Sequence, residues 1–169
     1  SSSYQEGTTF TVVLPFEVAE ASAPRLENGE GEGADGKTER TGSVLLTEDE
    51  AVNRLAVERM LEKAGSAVTT AANGKEALEA LRYGSFDCIL MDERMPDLNG
   101  TEVLHTIRTS SEYRSIVSIP VIALTAYAME GDRDRFLEAG MDDYLTKPVS
   151  QKKLLATIRS VLDRAENRE

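Results

Sequence analysis

From residue 43 onward the chain alternates short apolar runs with amphipathic stretches, and no other feature limits its fold so strongly. The runs cover residues 44–46, 67–68 with the threonines that follow, 86–91, 119–124 and 141–145. Short runs rich in Val, Ile and Leu, separated by helical patterns, are the mark of strands covered by crossover helices. In the first helical stretch Val52, Leu55, Ala56 and Met60 share one face. Asn73 is placed to cap the second, with Glu76 three residues on and Ala77, Leu78 and Leu81 inward. Val103, Leu104 and Ile107 mark the third. The fourth, residues 129–139, is short and polar, with Phe136 and Leu137 as anchors and Gly140 as its C-terminal cap. Leu154, Leu155, Ile158, Val161 and Leu162 form the stripe of the last. The pattern predicts an α/β domain over residues 43–169: a doubly wound, five-stranded parallel sheet with helices on both faces.

Charge separates this body from what precedes it. The 169 residues carry a formal net charge of −11. Residues 1–43 hold eight acids and three bases, so nearly half of that charge lies in the first quarter of the chain. Residues 19–42 contain five glycines and one large aliphatic, Leu26. Such a stretch buries too little apolar surface to offset its ordering entropy and is expected to be a flexible acidic linker. Gly31-Glu-Gly-Ala-Asp-Gly36 inside it matches G-x-G-x-x-G. The phosphate-binding form of that motif follows a strand and opens a helix. Here it does neither, and Glu30, Glu32 and Asp35 repel phosphate, so no nucleotide site is assigned. Before the linker, residues 7–16 alternate as one strand stopped by Pro15, with no partner strand nearby.

The composition closes off other classes. An acidic chain lacks the broad basic face needed for nucleic acid or an anionic membrane, so neither is expected as a partner. Cys88 is the single cysteine, which excludes an internal disulfide framework or a cysteine metal cage and fits the cytoplasm. No apolar run approaches the roughly 20 residues of a membrane span. The chain opens on Ser1 rather than Met and is expected to be part of a longer protein.

Chemistry in a doubly wound sheet gathers at the carboxyl ends of the strands. Those ends carry Glu48-Asp49, Asp92, Thr125-Ala126 and Lys147-Pro148. Taken singly, each is an ordinary cap, turn or surface residue. Together, three carboxylates repel unless a cation joins them, and a hard divalent ion prefers carboxylate oxygen. One Mg²⁺ and Lys147 neutralise the three acids and leave the site ready for a phosphoryl group. This reads as phosphoryl transfer to a carboxylate. Asp92 is the expected nucleophile, since it ends the central, most apolar strand. Glu48 and Asp49 hold the metal, one of them through water. Lys147 places its charge on phosphoryl oxygens, and Thr125 donates its hydroxyl to another. The loop from Arg94 to Gly100 shapes the rim.

These residues resemble a known family. Val44-Leu-Leu-Thr-Glu-Asp-Glu50, Ile89-Leu-Met-Asp-Glu-Arg-Met-Pro96 with Gly100, Ile122-Ala-Leu-Thr-Ala126 and Gly140-Met-Asp-Asp-Tyr-Leu-Thr-Lys-Pro148 are similar to the receiver domains of two-component signalling. The resemblance implies a flavodoxin-like strand order of 2-1-3-4-5. It implies that Asp92 accepts a phosphoryl group from a phosphohistidine, and that Asp49, Asp92 and the backbone carbonyl of Arg94 ligate Mg²⁺ or Mn²⁺, with Glu48 in the second acidic position. There many receivers carry Asp; the longer Glu reaches the metal through water. It further implies that Thr125 and Tyr144 form a switch pair and that Lys147 precedes a cis peptide at Pro148. Implied partners are the phosphohistidine domain of a histidine kinase, a histidine phosphotransfer protein, and a second copy through the face of helix 4, strand 5 and helix 5. The only catalysis implied for the receiver is of its own phosphorylation and dephosphorylation.

Glu6-Gly-Thr-Thr-Phe-Thr-Val-Val-Leu-Pro15 resembles the strand that closes a histidine kinase ATP-binding domain. Residues 1–18 are then the remnant of that domain, and the parent is a hybrid sensor histidine kinase, with any membrane anchor upstream. A fragment without the ATP-binding and histidine parts is expected to have no kinase activity of its own. Two alternatives compete. One is a stand-alone response regulator, which the residue 7–15 strand opposes. The other is a carboxylate-nucleophile phosphatase, which generally needs an acid two residues after the nucleophile, where Arg94 stands. A flavin module is opposed by the acidic strand ends. His105, the only histidine, reads as an ordinary helix residue and Cys88 as core. Arg94 and Tyr127 flank the pocket and are expected to tune the lifetime of the phosphorylated state.

Overall fold

The computed structural model describes residues 42–126 and 132–167. The segments read above as a kinase remnant and a linker, and Tyr127, lie outside them, save Gly42.

The strands are β1 Ser43–Thr47, β2 Ala67–Ala71, β3 Cys88–Asp92, β4 Val121–Thr125 and β5 Asp143–Thr146. They form one parallel sheet in the order β2-β1-β3-β4-β5, as the resemblance implies. The helices are α1 Ala51–Lys63, α2 Gly74–Tyr83, α3 Gly100–Thr109, α4 Asp132–Glu138 and α5 Gln151–Glu166. A 3-10 turn, Ser111–Ile116, which the apolar pattern did not announce, leads into β4.

Alternation along each strand divides the interior in two. Leu45, Ile89, Met91, Val121 and Ala123 face a cluster with Ala77, Leu81, Val103, Leu104, Ile107 and Phe136. Val44, Leu46, Cys88, Leu90, Ile122 and Leu124 face a second with Val57, Leu61, Leu154, Ile158 and Val161. Helices α2, α3 and α4 thus cover one face, and α1 and α5 the other. β3 lies at the centre with all five residues buried. The switch of chain direction on either side of β1 and β3 opens a crevice at their carboxyl ends, where a doubly wound sheet binds its ligands.

The caps follow the sequence. The Asn73 side chain accepts from the Glu76 N–H, and Glu76 reaches back to the Ala72 N–H at 2.7 Å. Asn99 and Glu102 form a full capping box on α3. Gly140 closes α4 at φ +92°, a conformation glycine adopts without strain.

Two sequence expectations are corrected. In α1 the inward residues are Val57 and Leu61, while Val52 is 74% and Leu55 51% exposed. At about 100° per residue, Val52 and Leu55 fall opposite the Val57–Leu61 stripe. In α4 Phe136 is buried but Leu137 is an exposed large apolar residue, because the next position lies about 100° further round the helix and turns away from the core.

Candidate phosphoryl-acceptor site

The ends of four strands, β1, β3, β4 and β5, build the site. β1 stops at Thr47, and Glu48 continues its line with its N–H donating to Ala71 O at 3.1 Å. Arg54, one turn into α1, donates to the carbonyls of Glu48 at 2.6 Å and Asp49 at 3.2 Å and so pins the acidic loop. Glu48 becomes buried while Asp49 stays exposed. β3 delivers Asp92, also buried. The following loop turns back sharply: Asp97 takes φ +68°, and Met95 is buried beneath it. It ends at Gly100, whose missing side chain lets α3 abut β3. A Cβ there would stand 2.7 Å from the Asp92 carbonyl and 2.9 Å from Met91 Cγ. β4 delivers Thr125, paired in register with Thr146 of β5, and the Lys147 N–H donates to Thr125 O at 2.7 Å. Lys147–Pro148 is cis, as the resemblance implies.

The side chains meet in one cleft of about 730 Å³, lined by Glu48, Asp49, Asn53, Asp92, Glu93, Arg94, Thr125, Arg135 and Lys147 among others. Lys147 Nζ lies 2.6 Å from Asp92 Oδ2 and 2.6 Å from Glu48 Oε2. The other Asp92 oxygen, Oδ1, accepts the Arg94 N–H at 3.1 Å. Ligating oxygens of Glu48, Asp49 and Asp92 all lie within 4.8 Å of one another. Tyr144 stacks on Phe136 with ring centroids 6.3 Å apart, one strand away from the cleft.

Electrostatics follow from this crowding. Burial, helped by Asp92, pushes the Glu48 carboxyl above its ordinary range, although Lys147 and Asn53 pull it down. Burial by itself would lower Lys147, but its hydrogen bonds to Asp92 and Glu48 outweigh that and hold the ammonium above its usual value. Three carboxylates therefore face one fixed ammonium, an excess of two negative charges that a divalent ion matches. Glu48 Oε2 is buried and sits 2.6 Å from the Lys147 ammonium, the one cation that meets it among the described residues. An all-oxygen donor set with such an atom fits a hard cation of the Mg²⁺ class.

The structure brings together Glu48, Asp49, Asp92, Arg94, Thr125 and Lys147, all read from the sequence, and sets Tyr144 on the flank of β5. His105 is exposed on α3 and lines no part of the cleft. Cys88 is fully buried and its thiol is pushed up to about 12 by burial, as a core residue should be. Sequence reasoning missed Asn53, Arg54, Glu93 and Arg135. Arg54 carried a weak signal, a cation one helical turn behind an acid pair. Arg135 carried none, since its approach to Glu93 depends on how α4 packs.

Comparison with protein families matches residues 44–159 to the response regulator receiver domain. The sensor protein GacS of Pseudomonas syringae is 38% identical over 119 residues, which cover 70% of this chain and 13% of that protein. The polar-differentiation response regulator DivK of Brucella anthropi is 38% identical over 120 residues, covering 71% of this chain and 95% of that one. Among solved structures, the receiver domain of a sensor histidine kinase of Pseudomonas aeruginosa superposes with a TM-score of 0.63 at 39% identity, covering 72% of this chain and 97% of that one. That structure holds a magnesium ion coordinated in its active-site cleft.

Proposed function

The chain belongs to the response regulator receiver domain family of two-component signalling, and from that premise we propose that Asp92 takes a phosphoryl group from a phosphohistidine and that the domain changes shape in response. The observation that carries this is the convergence of Asp92, Glu48 and Lys147 within 2.6 Å contacts at the carboxyl edge of the sheet. A carboxylate oxygen of Asp92 forms the new O–P bond as the P–N bond breaks. The imidazole nitrogen keeps the electron pair and takes a proton. Glu48, Asp49, Asp92 and the Arg94 carbonyl hold Mg²⁺, which offsets charge on the phosphoryl oxygens when bound. Lys147 leaves its resting partners for one phosphoryl oxygen, and Thr125 donates its hydroxyl to another.

The rest of the reading is of the same kind. Thr125 moves toward the phosphoryl group and Tyr144 follows, altering the face of α4, β5 and α5 on which a second copy docks. Partners are a kinase phosphohistidine domain or a histidine phosphotransfer protein. The parent is a cytoplasmic or membrane-anchored hybrid sensor kinase, with residues 1–18 the end of its ATP-binding domain and 19–42 a linker. The resemblance at Gly7–Pro15 and the likeness to GacS support this; among the described residues no helix is long and apolar enough to cross a membrane. The test is phosphotransfer from a panel of histidine-phosphorylated domains, followed by mass spectrometry. Modification at Asp92 from at least one donor supports the reading; modification elsewhere contradicts it.

A further inference from the structure

Arg135 lines the acceptor cleft along with Lys147, and nothing in the chemistry above employs it. It projects from α4, and its Nη2 lies 3.4 Å from Glu93 Oε1. Its guanidinium stands 5.0 Å from the centre of the Phe136 ring. Glu93 follows Asp92 directly in the chain. The Glu93 side chain is 16% exposed and firmly placed: the Thr101 hydroxyl of α3 lies 3.1 Å from both of its oxygens. One hydroxyl proton serves one oxygen at a time, so the other is left for Arg135. The Arg135 side chain is 61% exposed, and its contact with Glu93 is long. Glu93 is thus the fixed member of the pair and Arg135 the movable one.

We propose that Arg135 is a positioning residue for the phosphoryl group, masked by Glu93 until that group arrives. The inference rests on the reading of Asp92 as acceptor. A single long pair whose cation is largely in water adds little to stability, so its consequence comes from its place in the cleft. A phosphoryl group on Asp92 brings up to two negative charges beside Glu93, which has one. It also presents the oxygens that a planar guanidinium binds in pairs. The guanidinium then exchanges the carboxylate for the phosphoryl group. Because Phe136 is the next residue and stacks on Tyr144, the exchange draws on the same ring contact that flanks the switch. Glu93 restrains the cation in the resting state and so weakens capture of any anionic donor.

Acetyl phosphate is the probe. An Asp92 oxygen bonds to its phosphorus, the P–O bond to the acetyl group breaks, and acetate leaves with the electron pair. Uptake is followed by intact-mass spectrometry over a range of acetyl phosphate at saturating Mg²⁺, for wild type, E93Q, R135A, R135K and E93Q/R135A. Removing the mask in E93Q lowers the half-saturating donor concentration about 3- to 5-fold, the scale of one exposed charge pair. R135A raises it by a similar factor, R135K recovers part of the loss, and the double variant matches R135A. R135A and R135K retain the wild-type urea midpoint within error, since Arg135 is largely exposed, and E93Q stays close to it because Gln still accepts from the Thr101 hydroxyl. Half-saturation unchanged in E93Q and R135A overturns the inference, as does an E93Q effect that persists without Arg135. Wild-type protein that takes up no phosphoryl group at Asp92 overturns the reading beneath it, a distinguishable outcome.

Discussion

Replacing Glu48 with Gln should stabilise the metal-free protein, against the usual effect of a substitution in the interior. Glu48 is 1% exposed, so its carboxylate has lost nearly all of its water. At an effective dielectric constant near 20, the Lys147 ammonium at 2.6 Å contributes about −6 kcal/mol. The like charge on buried Asp92, no more than 4.8 Å away, costs about 3.5 kcal/mol, while Asp49 is exposed and screened by water. Repulsion offsets about half of the attraction, and a desolvation penalty of several kcal/mol outweighs the rest, in keeping with the upward displacement of this carboxyl. Gln removes the charge, keeps an acceptor for Asn53 and loses the Lys147 contact. The net expectation is a gain of about 1–2 kcal/mol near neutral pH, less than the penalty because an amide NH₂ facing Lys147 is itself unfavourable. Burial raises Glu48 above its ordinary 4.5 in the folded chain, so the folded state binds this proton more tightly than the unfolded state. That contribution is complete below the unfolded value and is lost as pH rises through the folded one. The advantage of E48Q over wild type therefore opens in that window and closes toward pH 4.5. Mg²⁺ at 100 times its dissociation constant should return about 2.7 kcal/mol to wild type and far less to E48Q, reversing the order. The assay is urea unfolding of both proteins with chelator and with Mg²⁺, across pH. Metal-free E48Q less stable than wild type near neutral pH, or an equal Mg²⁺ response, refutes the reasoning.

Two further outcomes follow from single contacts. G100A places a Cβ 2.7 Å from the Asp92 carbonyl and should lower stability by about 1–3 kcal/mol, read as a drop in the urea midpoint. It should also slow the proposed phosphoryl uptake at Asp92, because relief requires movement of β3 or α3. Cys88, fully buried with its thiol raised to about 12, should resist a disulfide reagent in the native protein and react fully in denaturant; rapid native labelling contradicts its place in the core.

The sheet was legible because apolar runs at regular spacing have few alternative arrangements, and the site because topology carries every strand end to one edge. Asp92, Thr125 and Lys147 could be placed from chain order alone. The difference between Glu48 and Asp49 could not: the two are adjacent, and only β1 direction and the Arg54 clamp decide that Glu48 turns inward. The α1 face was misread because its apolar residues fall on two arcs of the helix, and periodicity does not say which arc meets α5 and the sheet. Val57 and Leu61 win because that arc closes the second cluster; Val52 and Leu55 are left toward water. Arg135 and Glu93 were invisible for a related reason. They are 42 residues apart, and their meeting depends on a side-chain reach from a short helix that apolar patterning barely defines.

The central claim is that Asp92 is the phosphoryl acceptor and that its chemistry needs a divalent ion. Intact-mass measurement of acetyl phosphate uptake, with Mg²⁺ and with chelator, for wild type and D92N tests it most directly. One phosphoryl group per wild-type chain is expected, localised to Asp92, with uptake lost in D92N and suppressed by chelator. D92N protein that is modified at the wild-type rate, or uptake that chelation leaves unchanged, contradicts it.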